Sequence, residues 1–294
     1  MSTQITTAFV EQYSANVQHL AQQKGSRLRA CVDVETITGK NAFFEQIGSV
    51  AARKRPARHS DTPQMDTPHA RRRVSLEDYD WADLIDNEDR VRMLIDPTSP
   101  YVTAASNAMG RAMDTAIIEA ADGTAFTGTT GSTSTAYDTA NTIGVQVGIS
   151  PAADTGLNIG KLRAAKEVLD ANEVDPDAKR VCILNATQLR NLLAQTEVTS
   201  SDFNTVKALV QGEVNEFLGF RFIRTQLIGV DSNSDDKVLY FTQPGMKLAV
   251  GINPVARISE RSDKNHATQV YYSMSIGATR MEEAKVGYIE CDPT

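Results

Sequence analysis

The sequence predicts an α+β protein, and three parts of the chain indicate that class. A long helical pattern covers residues 99–123, helices alternate with strands between about residues 152 and 243, and strands dominate from residue 244 onward. Alternation of helix and strand is typical of a compact α/β domain, whereas consecutive strands indicate a separate sheet. With 294 residues, the chain is long enough for two cores or for one core with large excursions.

Composition and charge exclude several classes of protein. Hydrophobic residues make up 41% and charged residues 23%, as in ordinary globular proteins, and the net charge of −7 argues against wrapping nucleic acid with the whole surface. Cys31, Cys182 and Cys291 form no CxxC pair, which favours buried thiols over a disulfide framework or a zinc site. We find no signal-peptide pattern and no membrane-spanning stretch. We therefore expect a protein of the cytosol, or of a particle assembled there, without membrane contact.

The helical pattern of residues 99–123 is the feature around which the chain is organised. Ser99 is a favourable N-cap, Pro100 suits the first turn, and Gly123 is a natural C-terminal stop. Such a helix is about 35 Å long at about 1.5 Å per residue. Its apolar residues recur at three- and four-residue steps and trace one face: Val102, Ala105, Met109, Ala112, Met113, Ala116, Ile117 and Ala120.

The chain before this helix begins with a predicted helix and a short strand. One side of the helix, over residues 9–23, carries Val10, Tyr13, Val17, Leu20 and Ala21. Gly25 ends that helix, and residues 28–37 form a strand-like run.

Residues 42–86 predict two strands around a polar segment. One strand pattern enters over residues 43–50 and another returns over residues 74–81. The segment between them contains Pro56, Pro63 and Pro68 and almost no apolar residue, so it cannot bury enough surface to fold alone. Composition alone fits a disordered loop as well as a loop held by neighbouring subunits, and both interpretations stay open here.

Opposite charges lie in two consecutive blocks of this region. The loop carries the basic residues Arg53, Lys54, Arg55, Arg58, Arg71, Arg72 and Arg73. The acidic residues that follow directly are Glu77, Asp78, Asp80, Asp83, Asp86, Glu88 and Asp89. Such blocks suit an internal clamp or pairing with a neighbour in a repeating assembly, although two solvated patches would show the same pattern. We predict that the arginines contact acids of a neighbouring subunit, either in the acidic block or at Asp114 and Glu119 on the exposed edge of the long helix.

The remaining elements follow in chain order. After a Thr-, Gly- and Ser-rich loop, the patterns predict helices over residues 157–169, 187–196 and 206–213. Strands are predicted over residues 180–184, 216–223 (as two strands and a turn), 237–241, 246–251, 255–259, 270–279 and 286–290. Alternation of apolar and polar residues over 270–279 is typical of a half-buried strand.

No arrangement of residues meets the requirements of a catalytic, cofactor or metal site. Residues 155–162 resemble a phosphate-binding loop, but the two glycines are one residue too close and Leu162 replaces the Ser or Thr that binds the metal. The four histidines lie far apart, without a metal-ligand spacing or a triad. Glu282 and Glu283 are adjacent on a strand-like run, so their side chains point to opposite faces. We predict no enzyme activity, no cofactor and no metal.

The order of these segments resembles the major capsid proteins of tailed bacteriophages with the Hong Kong 97-like fold. That family has an N-terminal arm, an extended two-stranded loop, a long spine helix, a compact axial domain and a return to a peripheral domain. By resemblance these map onto residues 1–40, 41–93, 99–123, 151–243 and 244–294, with residues 94–150 joining the peripheral domain. The opening FVEQYSANVQHLAQQKGSRLR is similar to the start of capsid proteins of that group.

The resemblance implies a coat protein that assembles with itself, as hexamers and pentamers, into an icosahedral shell around the double-stranded DNA of a phage. A separate scaffolding protein or none, a portal and a decoration protein are implied as partners. DNA is enclosed without sequence-specific binding, the acidic net charge keeps the inner wall from adhering strongly to phosphate, and assembly takes place in the host bacterial cytoplasm. Some members crosslink subunits through a loop lysine. This loop is arginine-based, with Lys54 near its base, so no such crosslink is expected.

Three other classes stay open at this point. A cellular nanocompartment shell of the encapsulin type has the same fold and encloses an enzyme. A soluble α/β enzyme would use residues 127–135 as a lid, with Asp154 nearby, and would show acids of perturbed pKa in a pocket. A nucleic-acid-binding module would use the arginine loop, although no aromatic residue is interleaved there to stack on bases.

Overall fold

The computed structural model describes residues 20–55, 57–58, 60–86, 98–148, 153–195 and 216–293. Within these ranges the chain forms three α-helices and fourteen β-strands, arranged in two four-stranded sheets and one six-stranded sheet. Most of the helix predicted over residues 9–23, and the whole of the one predicted over residues 206–213, lie outside the described residues. The acidic residues Glu88 and Asp89 lie outside them as well.

The helices and strands have the following bounds. The helices are α1 Thr98–Asp122, α2 Ile159–Ala171 and α3 Ala186–Leu193. The strands are β1 Asp33–Thr36, β2 Asn41–Ile47, β3 His69–Ser75, β4 Glu77–Ile85, β5 Ala125–Thr127, β6 Thr133–Thr135, β7 Thr142–Ile143, β8 Arg180–Leu184, β9 Glu216–Phe217, β10 Phe220–Arg224, β11 Asp236–Thr242, β12 Met246–Arg261, β13 Ala267–Arg280 and β14 Val286–Cys291.

The predicted extended loop begins as an antiparallel hairpin. Strands β2 and β3 pair from Asn41 opposite Ser75 to Ile47 opposite His69, and residues 48–68 form the tip between them. Two short strands from after the long helix complete a sheet of order β2-β3-β5-β6. The tip belongs to no strand and is exposed along nearly all its described length, as its polar composition predicts.

The returning half of the loop differs from the prediction, because it is two strands and not one. After β3 the chain leaves the hairpin, and β4 pairs antiparallel with β13 at the edge of a sheet of order β1-β12-β13-β4. Ser75, at the end of β3, comes so close to β13 that a Cβ on Gly277 would lie 2.2 Å from its carbonyl oxygen, so glycine is needed there. The acidic block therefore lies mainly on an edge strand of a different sheet from the basic hairpin.

The spine helix α1 packs its predicted apolar stripe between two sheets, the four-stranded sheet of order β1-β12-β13-β4 and the six-stranded sheet. Met109, Met113 and Ile117 are buried in one cluster with residues of both sheets, including Met274 and Phe241. The helix therefore joins the two sheets through a shared core, and the prediction of a long helix with a buried Ala and Met face is confirmed.

The six-stranded sheet has the order β7-β14-β11-β8-β10-β9, with α2 and α3 contributing to the core on it. Strand β8 matches its predicted bounds and is buried along its whole length. The domain boundaries drawn from the sequence stay predictions. The sheet shows, however, that the last strand, β14, pairs with β11 although it lies beyond Pro244.

Strand β12 corrects another prediction. The patterns at 246–251 and 255–259 belong to one continuous strand that pairs with β13, and register shifts near Ile252 interrupt the alternation on which the two-strand prediction rested. Among the described residues, no helix combines the length and the apolar character needed to cross a membrane.

Candidate assembly interface

A buried carboxylate in the middle of α1 holds the root of the N-terminal segment. Asp114 is 0% exposed. Its Oδ1 accepts hydrogen bonds from Ser26 Oγ at 2.5 Å and from the backbone N–H of Leu28 at 3.1 Å, while its Oδ2 accepts from the N–H of Arg27 at 2.9 Å. Gln23 Nε2 also donates to Oδ2 at 2.5 Å. A buried carboxylate with several donors is a strong anchor, so residues 23–28, the arm root, are fixed on the helix.

The same face of α1 carries two further residues that fit the arm root. Asn107, Gly110 and Asp114 lie three and four positions apart, which places them on one face of the helix. Asn107 Oδ1 accepts a hydrogen bond from Gly25 N–H at 3.1 Å. A Cβ on Gly110 would lie 2.3 Å from the carbonyl carbon of Gly25, so only glycine permits this close approach.

The arm root also contacts the six-stranded sheet. Thr225 Oγ1, just after β10, donates to Gln23 Oε1 at 3.1 Å, and Arg27 Nη1 donates to the carbonyl oxygen of Arg224. The arm root therefore ties the spine helix to the end of β10, and any movement between these two elements must strain it.

The root of the hairpin is held by a cluster of two arginines and one glutamate. Arg72, on β3, is 6% exposed, and its Nη2 lies 2.5 Å from Glu283 Oε2. Arg280, at the end of β13, is 0% exposed, and its Nε lies 3.3 Å from Glu283 Oε1. Glu283 therefore bridges the hairpin to the long sheet by pairing with both guanidinium groups.

Arg280 also caps the end of the spine helix. Its Nη1 donates to the carbonyl oxygens of Ala121 at 2.7 Å and Gly123 at 2.9 Å, which have no partner within the helix ladder. A cation at a helix C-terminus is further stabilised by the helix dipole. The hairpin root, the last strand of the long sheet and the end of the spine helix thus meet at Arg280 and Glu283.

The three arginines of β3 are used within their own subunit. Arg71 Nη2 lies 2.7 Å from Glu45 Oε1, and its guanidinium lies 5.7 Å from the ring centre of Phe43. Arg73 lies over the ring of Phe126 at 4.7 Å. Arg72 lies on the opposite face of β3 from Arg71 and Arg73, because successive side chains of a strand alternate between faces, and it is buried beside Glu283.

The remaining predicted contact residues are exposed, apart from Asp114. Arg53, Arg55 and Arg58 lie at the hairpin tip, and Glu119 lies on the open side of α1. The exposed acids of the edge strand and its end are Glu77, Asp78, Asp80, Asp83 and Asp86. The prediction that Asp114 lies on an exposed edge is wrong, because the arm root covers that face of the helix.

Nucleophiles and cations elsewhere in the fold have structural roles. Burial raises the pKa of the thiols of Cys31 and Cys182, and it raises the pKa of Cys291 to about 12. Lys161, in the segment that resembles a phosphate loop, is buried and donates from Nζ to the carbonyl oxygens of Thr155 at 2.5 Å and Glu290 at 2.9 Å. Burial lowers the pKa of Lys161.

The same segment starts a helix, because the Asn158 side chain caps α2 by accepting a hydrogen bond from Lys161 N–H at 2.8 Å. No group of three or more His, Cys, Asp or Glu within the described ranges could hold a metal ion.

Comparison with known families identifies the class of protein. The model of the family described as phage capsid protein matches residues 5–293, which is nearly the whole chain. The chain belongs to the phage capsid protein family. Its predicted family, its Hong Kong 97-like fold and its function as a capsid shell protein are confirmed.

Solved phage capsids share the fold at low sequence identity. The capsid of the cyanophage P-SCSP1u has a TM-score of 0.76 at 18% identity, covering 100% of this chain and 96% of that one. The head of Helicobacter pylori bacteriophage KHP40 has a TM-score of 0.74 at 10% identity, covering 100% of this chain and 99% of that one. The structure from Mycobacterium phage Che8 has a TM-score of 0.71 at 13% identity and covers 96% of each chain. A search of curated proteins finds no match.

The roles of several residues that shape this capsid protein are not predicted by the sequence. The prediction that Glu282 and Glu283 lie on a strand-like run is wrong, because Glu283–Lys285 form a short 3-10 helix, and nothing local marks Arg280 as a helix cap. Gly110 did carry a signal, because a glycine in the middle of a helix costs about 1 kcal/mol relative to alanine and so indicates a close backbone contact. The polar spacing of Asn107 and Asp114 beside that glycine was a second signal for the arm root.

Proposed function

We propose that the hairpin tip of each capsid subunit lies across a neighbouring subunit and contacts its acidic edge strand. The observation that supports this is a pair of exposed, opposite charge groups. Arg53, Arg55 and Arg58 lie at the tip, and Asp78 and Asp80 face outward on β4. No ion pair within the described part of the chain involves any of these five residues.

The energetic argument rests on repetition. An exposed ion pair stabilises by only about 0–1 kcal/mol, so one pair decides nothing. A closed shell repeats the same contact at every subunit boundary, and a contact between different surfaces of two copies closes into rings when the rotation permits. Salt weakens such contacts, because the Debye length falls from about 10 Å at 0.1 M to about 3 Å at 1 M.

Further parts of the proposal follow from the family. The subunits form hexamers and pentamers of an icosahedral shell that encloses double-stranded DNA, and assembly takes place in the cytoplasm of the host bacterium. A separate scaffolding protein, a portal and a decoration protein act as partners. The subunit has no enzyme activity, and its function is to form the capsid shell.

A charge-reversal series tests the proposed contact. The tip variant changes Arg53, Arg55 and Arg58 to Glu, and the strand variant changes Asp78, Asp80 and Asp83 to Lys. We expect each variant to fold, as seen by circular dichroism, and to assemble poorly, as seen by sedimentation. The chain that carries both sets should assemble again, because every tip then meets a strand of opposite charge. Arg71, Arg72 and Arg73 are unsuitable for this test, since Arg72 is buried and its loss would disturb the fold.

A matched control changes three exposed basic residues outside the hairpin to Glu, namely Arg163, Lys166 and Lys264. It alters the net charge as much as the tip variant does and should assemble normally. Normal assembly of the tip variant at low salt would contradict the proposal. Failure of the doubly reversed chain, with both single variants also failing, would show that these residues act through something other than mutual attraction.

A further inference from the structure

Basic side chains surround the arm root of a protein whose net charge is −7. We call this group the arm-root basic patch, and it consists of Lys24, Arg27, Arg29, Arg111 and Arg190. Arg111 joins the group from the spine helix, since its Nη1 donates to Gln22 Oε1 at 2.9 Å. Arg190, at α3, and Arg224, at the end of β10, line one groove of about 560 Å³ together with Arg27.

The patch has few compensating charges. None of the described residues that line the groove is Asp or Glu. Among the hydrogen bonds formed by the described residues 22–29, the only carboxylate is that of Asp114, which is fully buried and already accepts four donors. Among the described residues, Lys24, Arg27, Arg29, Arg111 and Arg190 therefore carry more positive charge than the one carboxylate bonded to the arm root offsets.

The structure also holds this patch in place. Asp114 fixes the arm root on α1, and the guanidinium of Arg27 donates to the carbonyl oxygen of Arg224. Arg29 is held in the same way, because its Nη2 donates to Asn253 Oδ1 at 3.1 Å. A guanidinium fork matches the geometry of a phosphate, and one that is already oriented loses less entropy when it binds.

The patch is separate from the basic hairpin tip. The arm root contacts α1 between Asn107 and Asp114, whereas the hairpin is linked through Glu283 to Arg280, which donates to the carbonyl oxygens of Ala121 and Gly123 at the end of α1. The two basic regions are thus attached to different parts of the helix, and their charges can be changed independently.

We propose that the arm-root basic patch contacts the phosphates of the DNA that the shell encloses, without preference for sequence. This inference rests on the proposed function and adds to it that the arm root faces the interior. Arg29 and Arg111 are hydrogen-bonded to the polar side chains of Asn253 and Gln22, which suits a hydrated polyphosphate, while Leu189 and Leu193 add an apolar lining to the groove beside Arg27 and Arg190. Because the rest of the subunit is acidic, the contact is weak and dependent on salt.

The test measures binding of full-length, unassembled subunits to mixed-sequence duplex DNA by fluorescence anisotropy over a range of salt concentrations. The patch variant changes Lys24, Arg27 and Arg190 to Gln. The slope of log affinity against log salt is about −0.9 per neutralised phosphate, so losing three contacts should reduce it by up to about 2.7. The control variant changes Arg53, Arg55 and Arg58 to Gln, which removes equal charge, and should keep the original slope.

An unchanged slope in the patch variant, or an equal loss in the control variant, overturns the proposal. Poly-L-glutamate serves as a second probe. If its binding depends on the patch while that of DNA does not, the partner is an acidic protein and the DNA proposal is wrong. Shell formation is measured on the same preparations, so the two proposals can fail separately. Normal shells together with DNA binding that does not depend on the patch contradict only this inference. Normal shell formation by the variant with the reversed hairpin tip contradicts only the proposed function.

Discussion

The carboxylate of Asp114 accepts a hydrogen bond from the backbone N–H of Leu28 at 3.1 Å, although the two residues are 86 positions apart in the chain. A charged side chain in the middle of the spine helix thus serves the backbone of the N-terminal segment. The same carboxylate accepts three more hydrogen bonds from that segment, so Asp114 is the site on the helix that binds the arm root.

Replacing Asp114 by Ala should destabilise the subunit strongly. Each buried donor left without a partner costs about 1–3 kcal/mol, and partial rehydration of the arm root limits the total, so we expect the free energy of unfolding to fall by about 2–4 kcal/mol. Glu119→Ala is the matched control on the exposed side of the same helix and should change it by less than about 0.5 kcal/mol. Urea unfolding followed by circular dichroism compares the two. Equal midpoints for both variants would show that the arm root contributes nothing to stability.

Replacing Glu283 by Ala should loosen the hairpin root. The change leaves the guanidinium groups of Arg72 and Arg280 buried without a counter-charge, and we expect a loss of about 2–4 kcal/mol, less than for fully buried pairs because Glu283 is partly exposed. The neighbouring Glu282→Ala variant removes only an exposed pair with Lys285, at 2.7 Å, and should cost less than about 1 kcal/mol. Urea unfolding again separates them, and a Glu283 variant as stable as the Glu282 variant would rule out the bridging role.

The buried thiols predict a loss of stability at alkaline pH. Burial raises the pKa of Cys291 from 9.0 to about 12, so the unfolded chain releases the proton before the folded chain does. The free energy of unfolding should therefore fall as the pH rises above about 9, and this contribution is fully present below that pH. Burial of Tyr240 acts in the same direction above its ordinary pKa of 10.0.

Comparison with Cys291→Ala isolates the thiol. That variant should lose less stability between about pH 8 and pH 11 than the unchanged protein, whatever the constant cost of its cavity. Urea unfolding at several pH values gives both slopes. Parallel slopes would mean that Cys291 is not protected from ionisation in the folded state.

The shell should contain no covalent links between subunits. The hairpin tip presents arginines, and its one lysine, Lys54, lies among them near the base of the tip. Particles boiled in detergent with reductant are expected to give one band near 32.0 kDa. A ladder of larger species under those conditions would reveal a bond that the loop sequence does not predict.

Elements that depend on local periodicity could be predicted from the sequence. The stripe through Met109, Met113 and Ile117 repeats at helical steps, and β8 is a short apolar run, so both appeared with nearly their true bounds. The entering strand of the hairpin followed from its apolar run, but β3 did not, because its sequence HARRRVS is mostly polar and looks like part of the loop. In each case the evidence lies within about twenty neighbouring residues.

Contacts between distant segments could not be predicted in this way. Asp114 resembles an exposed acid because its partners are on another segment. Arg72 resembles its basic neighbours because the polar sequence at 71–73 predicts a loop, in which side chains do not alternate between two faces. Glu283, which pairs with Arg280, is 211 positions from Arg72 in the chain. Only the fold separates the arginine that holds the subunit together, Arg72, from those left at its surface, such as Arg53 and Arg55.

The mass of the assembled particle tests the central claim most directly. Purified protein, alone or co-expressed with its scaffolding partner, is examined by sedimentation and by negative-stain electron microscopy. A capsid protein that builds its shell through repeated contacts should form closed hollow particles of uniform diameter and megadalton mass. A sharp monomer or dimer under both conditions would contradict the account.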